Sequence, residues 1–176
     1  MPDLHTSESN SLKVELGGGE TPLMKANGYK NIDVRPLDTV DIVSDVSSLN
    51  NHLQPHSVKA IFSRHFLEHL TFDELESHLR DCHVFLTADG SIEAIVPSME
   101  FHLLQLFLFP PSSSIFKHGL AGFHGWQRGQ DFGYWDIHKS SFTYASLLEI
   151  FNRMGYRLRF IKANIKNIHF VASKIS

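Results

Sequence analysis

Cysteine is nearly absent from this chain. Cys82 is the only one in 176 residues, so no intrachain disulfide can form, which fits a reducing compartment and predicts a cytoplasmic location. Positive charge is not in excess either. The 16 Lys and Arg stand against 19 Asp and Glu, a net charge of -3. Surfaces that hold nucleic acid are usually basic, so no general nucleic-acid affinity is expected, and a neutral small molecule or a protein is the default partner. Long apolar runs are missing. The greasiest stretch, residues 101–109, is interrupted by His102 and Gln105 and falls far short of the ~20 residues a transmembrane helix needs. Residues 1–10 are polar, with no apolar leader core, so no signal peptide is expected. No internal repeat or low-complexity tract is present. What remains is 42% apolar and 20% charged, a balance that suits a globular fold, and a length that suits one domain.

Glycine, by contrast, is concentrated. Leu12-Lys13-Val14-Glu15-Leu16 reads as a strand and runs straight into Gly17-Gly18-Gly19. Without a Cβ, such a turn lets a ligand approach the backbone and accepts positive φ. A purely structural turn is the competing reading. Asp33 closes the next apolar run, where a carboxylate at a strand tip can accept hydrogen bonds from a ribose diol. A glycine turn after one strand and an acid after the next describe a nucleoside-type pocket on an α/β sheet. Asp33 as a strand-end cap or salt-bridge partner is the alternative.

Further apolar runs at 30–34, 40–43, 58–63 and 91–96 have the length of buried parallel strands, with Asp89-Gly90 as the tight entry to the last. Thr21-Pro22 predicts the start, and Gly28 the stop, of a helix only about two turns long. Thr71-Phe72-Asp73-Glu74 fits a capping box. It opens a helix over 72–86 whose apolar face carries Phe72, Leu75, Leu79, Cys82, His83 and Leu86. A second helix is expected over 141–154, stopped by Gly155. The runs 156–161 and 168–173 are joined by a link too short for a helical crossover, so they are expected to pair antiparallel. The sum is an α/β fold: a Rossmann-like, seven-stranded, mostly parallel sheet with an antiparallel terminal strand and helices on both faces. Residues 1–11 read as a flexible arm and 12–176 as a single domain. Residues 97–141 break the rhythm with three prolines, three consecutive serines and many aromatics. This insertion follows a strand's carboxyl end, where α/β sheets bind ligands, and is read as a substrate-side cap. An aromatic subcore or an oligomer interface is the alternative, which leaves a homo-oligomer open.

The order of segments resembles a family. The segments are Glu15-Leu16-Gly17-Gly18-Gly19, Asn31-Ile32-Asp33-Val34, Val40-Asp41-Ile42-Val43-Ser44-Asp45, Ser63-Arg64-His65-Phe66-Leu67-Glu68-His69-Leu70, Asp89-Gly90-Ser91-Ile92 with Val96-Pro97, and His138-Lys139-Ser140-Ser141-Phe142-Thr143. Together they look like a small class I S-adenosylmethionine-dependent methyltransferase, of the compact bacterial type related to surface-polysaccharide-associated methyltransferases. The resemblance covers about 12–173. It implies S-adenosylmethionine as cofactor. The turn of Gly17, Gly18 and Gly19 would lie against its methionine part and Glu15 would orient its ammonium. Asp33 would bind the ribose hydroxyls, and Asp45 with Val46 would sit at the adenine. Ser63 and His65 would face the methyl group. Asp45 equally suits a cap on the turn into Ser47-Ser48. Thr21 stands where the family has a third glycine, and the first crossover leaves only residues 20–30.

His65, Glu68 and His69 would share one helical face. Two imidazoles and a carboxylate can hold a divalent metal, with a further histidine such as His124 or His138 completing the shell. His65, His69 and His138 are equally candidate catalytic residues, because histidine titrates near neutrality and suits proton removal from a hydroxyl. Pocket lining and internal hydrogen bonding are the plain alternative. Lys139 is a candidate substrate contact beside a helix start. Trp126 and Arg128 suit stacking on a sugar or clamping an anion, or packing. The expected activity is methyl transfer to an O or N nucleophile of a small-molecule or glycan-type acceptor. A non-catalytic S-adenosylmethionine-binding or scaffold protein is the alternative. A nicotinamide oxidoreductase is a third reading, against which the terminal hairpin and residues 63–70 speak.

Overall fold

The computed structural model describes residues 11–127, 136–161 and 165–175. All of the expected arm but Ser11 lies outside the described residues, as do Arg128, Tyr134 and Trp135.

Seven strands form one sheet: β1 (Leu12–Leu16), β2 (Lys30–Asp33), β3 (Ile42–Val43), β4 (Val58–Arg64), β5 (Leu86–Pro97), β6 (Tyr156–Ile161) and β7 (Asn167–Lys174). Their order is β3-β2-β1-β4-β5-β7-β6. The first five run parallel to one another. β7 enters antiparallel between β5 and β6, as the short link between the last two strands requires. The sheet is the Rossmann-like, mostly parallel one expected. β5 begins at Leu86 rather than 91, and Asp89-Gly90 lies inside it. Val58 pairs with Leu86 but Ala60 with Ser91, so the surplus residues bulge out where a turn was expected.

Among the described residues, four α-helices accompany the sheet: α1 (Phe72–Phe85), α2 (Met99–Leu108), α3 (Ser114–His124) and α4 (Tyr144–Arg153). The capping box of α1 is formed. Thr71 Oγ1 accepts the Glu74 N–H at 3.2 Å, and Glu74 Oε2 accepts the Thr71 N–H at 2.7 Å. α1 buries Leu75, His78, Leu79, Cys82 and Phe85. Phe72, assigned to that face by spacing, is 51% exposed and meets Phe142 edge-on. α4 starts at Tyr144, with Thr143 as its cap. It does not start at Ser141, because Phe142 is held extended by a bridge to Ser98. Arg153 ties α4 to α1 through Glu76 at 2.8 Å. Between them lies a core that includes Val14, Ile61, Leu79, Ala94, Phe151 and Phe170. Each fully buried large side chain there contributes about 1.5–3 kcal/mol.

The helix expected from Thr21-Pro22 is reduced to one 3₁₀ turn, Lys25–Asn27, with no side-chain cap; Gly28 does stop it, at φ 79. The reason is Glu15. This buried strand acid accepts the N–H groups of Leu23 at 2.9 Å and Met24 at 2.8 Å, so the loop is tied down to β1 where a helix would have continued. After β5, α2 and α3 pack as a hairpin. Gly119 and Gly122 face α2: a Cβ at 119 would lie 2.9 Å from Leu106, and one at 122 would meet the His102 ring. The far side of α2 presents Leu104, Phe107 and Leu108 to solvent.

Candidate active site

The strand order reverses between β1 and β4, the place where open α/β sheets bind ligands. A cavity of about 930 Å³ opens at the carboxyl ends there. Gly17, Asp33, Asp45, Val46, His65 and His69 all line it. Of the other sequence candidates, His138 lines an adjoining cavity, while Glu15, Gly18, Gly19 and Ser63 are not part of the lining.

The glycine turn is held by its neighbours. Gly17 has φ +68, and a Cβ on it would lie 2.9 Å from Phe66; Gly19 has φ +56, and a Cβ would lie 2.6 Å from the Arg35 guanidinium. Both φ values strain other residues, and at Gly17 the Phe66 ring also stands where a Cβ would lie. Gly18 backs onto Asn31. The turn and the acid of the next strand are joined directly, because the Gly19 N–H donates to Asp33 Oδ2 at 3.0 Å.

Asp33 is 6% exposed and fully engaged. Oδ1 accepts from the Arg35 N–H at 3.0 Å and its Nε at 3.1 Å, while Oδ2 also accepts an Arg35 terminal nitrogen at 3.2 Å. Burial alone would raise the Asp33 pKa, but the Arg35 hydrogen bonds and charge, with the Gly19 amide, bring it below the usual carboxylate value. Asp45 accepts the Ser47 N–H at 2.8 Å and hydroxyl at 2.7 Å. It thereby caps the 3₁₀ turn Val46–Asn51, and these bonds to Ser47 lower its pKa. Its capping and cavity-lining positions coexist. Glu15 has both oxygens committed to Leu23 and Met24. Ser63 is buried between Leu16 of β1 and Ala94 of β5.

His65 leaves β4 with φ 52. Its Nδ1 lies 3.0 Å from Glu68 Oε1, with Glu68 1% and His65 43% exposed at the side chain. A carboxylate can only accept, so Nδ1 carries the proton and the exposed Nε2 is a candidate base. The helix expected through 65–69 is one 3₁₀ turn, Leu67–His69. Residues 136–140 are stitched to it: the Lys139 and Ser140 N–H groups donate to the Glu68 carbonyl at 2.8 and 3.1 Å. His69 Nδ1 meets the Ile137 carbonyl at 2.9 Å, and His138 Nδ1 the Gly122 carbonyl at 2.9 Å. The two rings stand edge to face with centroids 5.2 Å apart. Burial lowers the His138 pKa. Glu68, His69 and His138 each bring a ligand-type atom within 4.8 Å of the others. His65 touches this group only through Glu68, and His124 is not part of it.

The adjoining cavity measures about 360 Å³ and is lined by His65, His69, His102, His118 and His138, with Trp126 beside them. His65 and His69 border both cavities. Gln105 Oε1 lies 3.0 Å from Nδ1 of both His102 and His118, and burial lowers the pKa of each. Lys139, on the larger cavity, reaches Glu74 at 3.1 Å. Arg35 and Phe66 are among the wall residues that sequence reasoning passed over. Arg35 sits two positions after Asp33, a spacing that puts neighbouring side chains on one side of a strand and could have marked it. Phe66 carries no local signal.

No protein-family model matches the chain, and no curated protein matches it in sequence. Solved structures do resemble it. One is a SAM-dependent methyltransferase from Archaeoglobus fulgidus, with 16% identity, 94% of this chain and 87% of that chain covered, and a TM-score of 0.62. A second is the CMeT domain of the citrinin polyketide synthase, with 16% identity, 96% and 48% covered, and a TM-score of 0.60. This chain therefore spans about half of that one. A third is the Burkholderia thailandensis 1,6-didemethyltoxoflavin-N1-methyltransferase with bound 1,6-didemethyltoxoflavin and S-adenosylhomocysteine, with 12% identity, 93% and 71% covered, and a TM-score of 0.60. At these identities the likeness is one of fold, and the fold is the Rossmann-like one of class I methyltransferases.

Proposed function

We propose that this chain is a cytoplasmic S-adenosylmethionine-dependent methyltransferase acting on an oxygen or nitrogen of a small-molecule or glycan-type acceptor. The observation that carries the reading is the direct bond between the glycine turn and Asp33 at the switch point, opening on a cavity large enough for a nucleoside-sized ligand. Residues 17–19 would back the amino-acid end of the cofactor, Asp33 its ribose, and Asp45 with Val46 its adenine. Glu15 would act from behind, by holding the loop, and Ser63 by shaping the strand end. The residues fit on one condition. The four acceptor positions of Asp33 are filled, so a ribose diol takes the place of the Arg35 side chain.

When bound, S-adenosylmethionine supplies a methyl group already activated by its sulfonium, so the protein's work is alignment and, for a protonated acceptor, proton removal. His65 takes that proton on Nε2, with Glu68 holding the ring and stabilising the imidazolium. His69 and His138 hold the acceptor at the junction of the two cavities. The insertion at 97–141 forms the acceptor side, its α2–α3 hairpin contributing His102 and His118. A surface-glycan acceptor is one reading of this histidine- and tryptophan-lined space.

A second reading, a cofactor-binding or scaffold protein without catalysis, draws on the Asp33–Arg35 pair and the helix-free first crossover. Calorimetric titration with S-adenosylhomocysteine and with NADH, on wild type and Asp33→Ala, tests the proposal. The homocysteine analogue should bind, and the substitution should weaken it by about 1.5–3 kcal/mol, roughly ten- to 150-fold. Binding with no turnover across a broad acceptor panel selects the scaffold reading. Binding of NADH alone overturns both.

A further inference from the structure

We propose that Glu68, His69 and His138 form a binding site for a divalent first-row transition metal, set where the two cavities meet. The site stands on its own donors; only its service to an acceptor rests on the methyl-transfer reading.

The tautomers come first. His69 Nδ1 and His138 Nδ1 each lie 2.9 Å from a backbone carbonyl, of Ile137 and Gly122 respectively. A carbonyl accepts, so both Nδ1 atoms carry protons and both Nε2 atoms present lone pairs. An Nδ1–H anchored on a carbonyl is the usual way a metal-binding histidine is oriented. The third donor is more telling. Glu68 is 1% exposed. Its Oε1 meets His65, while Oε2 is buried without a hydrogen-bond partner among the described residues. A carboxylate oxygen left unpaired inside a protein is costly, and native structures rarely leave one so. A cation beside Oε2 removes that cost.

Placement agrees. The donors come from two segments sutured by three hydrogen bonds: those from the Lys139 and Ser140 amides to the Glu68 carbonyl and the one from His69 to Ile137. Each of the three residues brings one ligand-type atom within 4.8 Å of the others, against roughly 3.4 Å between ligands of a tetrahedral ion with bonds near 2.1 Å, so the side chains would draw together on binding. Two imidazoles and one carboxylate suit zinc, ferrous or related ions and leave a coordination position open. Because His69 and His138 both line the smaller cavity, that position would be reached from there. An acceptor oxygen or a water molecule would occupy it.

The rival is a metal-free cluster in which Glu68 is neutral. Tag-free protein stripped with a chelator and titrated with Co²⁺, read by visible absorption and then by Zn²⁺ displacement, decides between them. Wild type should take up about one equivalent, with a low-coordinate cobalt spectrum. Glu68→Gln and His138→Ala should each weaken binding at least about tenfold, while His52→Ala, at an exposed histidine outside the cluster, should leave it unchanged. Zn²⁺ should raise the melting temperature of wild type and not of the two cluster variants. No uptake by wild type, or uptake that both cluster variants retain in full, overturns the proposal. S-adenosylhomocysteine binding to the stripped protein separates the two readings. Analogue binding without cobalt sinks the metal site alone, and cobalt binding without the analogue supports the site while removing its methyl-transfer setting.

Discussion

The two ends of the crevice are held together in opposite ways. At the glycine end, the acids are matched by amides and a guanidinium close in sequence. Glu15 takes the Leu23 and Met24 amides, Asp33 takes Gly19 and Arg35, and Asp45 takes Ser47. At the histidine end, the partners are far apart in the chain: His69 and Ile137 are separated by 68 positions. Glu68 Oε2 there is buried without a hydrogen-bond partner among the described residues. Asn31 Oδ1, behind the glycine turn, also lacks a hydrogen-bond partner among the described residues, so the difference lies in the carboxylates: those of the first end are matched without a ligand, whereas one oxygen of the second is not.

Glu15→Ala tests the first half of that comparison and should have the largest effect. It removes the acceptor of two loop amides, and hydrogen bonds to a carboxylate are each worth about 1.5–3 kcal/mol. Urea unfolding should show a loss of at least about 3 kcal/mol, and calorimetry a loss of S-adenosylhomocysteine binding, because the glycine turn is no longer backed. A loss under about 1 kcal/mol would mean the loop is held by something else, and the contrast between the two ends would fail.

The same contrast explains what could be read from the sequence. The glycine end was legible because its signals are local: a strand running into three glycines, an acid at the next strand tip, a capping box at Thr71 and Glu74. The antiparallel β6–β7 pair followed from the length of its link alone. The histidine end was legible only as a set of residue types. That His138 meets His69 and Glu68, while His65 serves Glu68, depends on docking residues 136–140 against the turn at 67–69. No periodicity encodes that docking. The misplaced elements failed for a related reason. The first-crossover helix was expected from Thr21 and Pro22, but a tertiary bond from Glu15 took its amides. The start of α4 moved because Phe142 pairs with Ser98. Arg35 was passed over because a salt bridge is not visible until the strand tip is built.

His65→Asn tests the other end and should be milder and of a different kind. Asparagine tolerates φ 52 and can still donate to Glu68, but it cannot take up a proton. Stability and S-adenosylhomocysteine affinity should stay within about 0.5 kcal/mol of wild type, as for surface substitutions. kcat, with whichever acceptor a turnover screen returns, should fall about ten- to a hundredfold. A large loss of stability instead would make the His65–Glu68 contact structural, and the two ends would be alike.

Arg35→Ala should give the smallest effect, and with the opposite sign. The guanidinium side chain fills two of the acceptor positions of Asp33, and it is 35% exposed, so losing the pair costs little, about 1 kcal/mol or less. The Asp33 pKa is depressed by this partner, so its contribution to stability is present above the unfolded value near 3.9 and is lost as pH falls through the lower folded value. The variant should therefore show a flatter acid limb in its unfolding profile. With the carboxylate released, a ribose diol no longer has to displace a cation, and S-adenosylhomocysteine should bind severalfold more tightly. Weaker binding would show that Arg35 is not an occupant of the ribose position but a ligand for the cofactor's own carboxylate. The glycine end would then be, like the histidine end, a site whose charge is balanced only when it is filled.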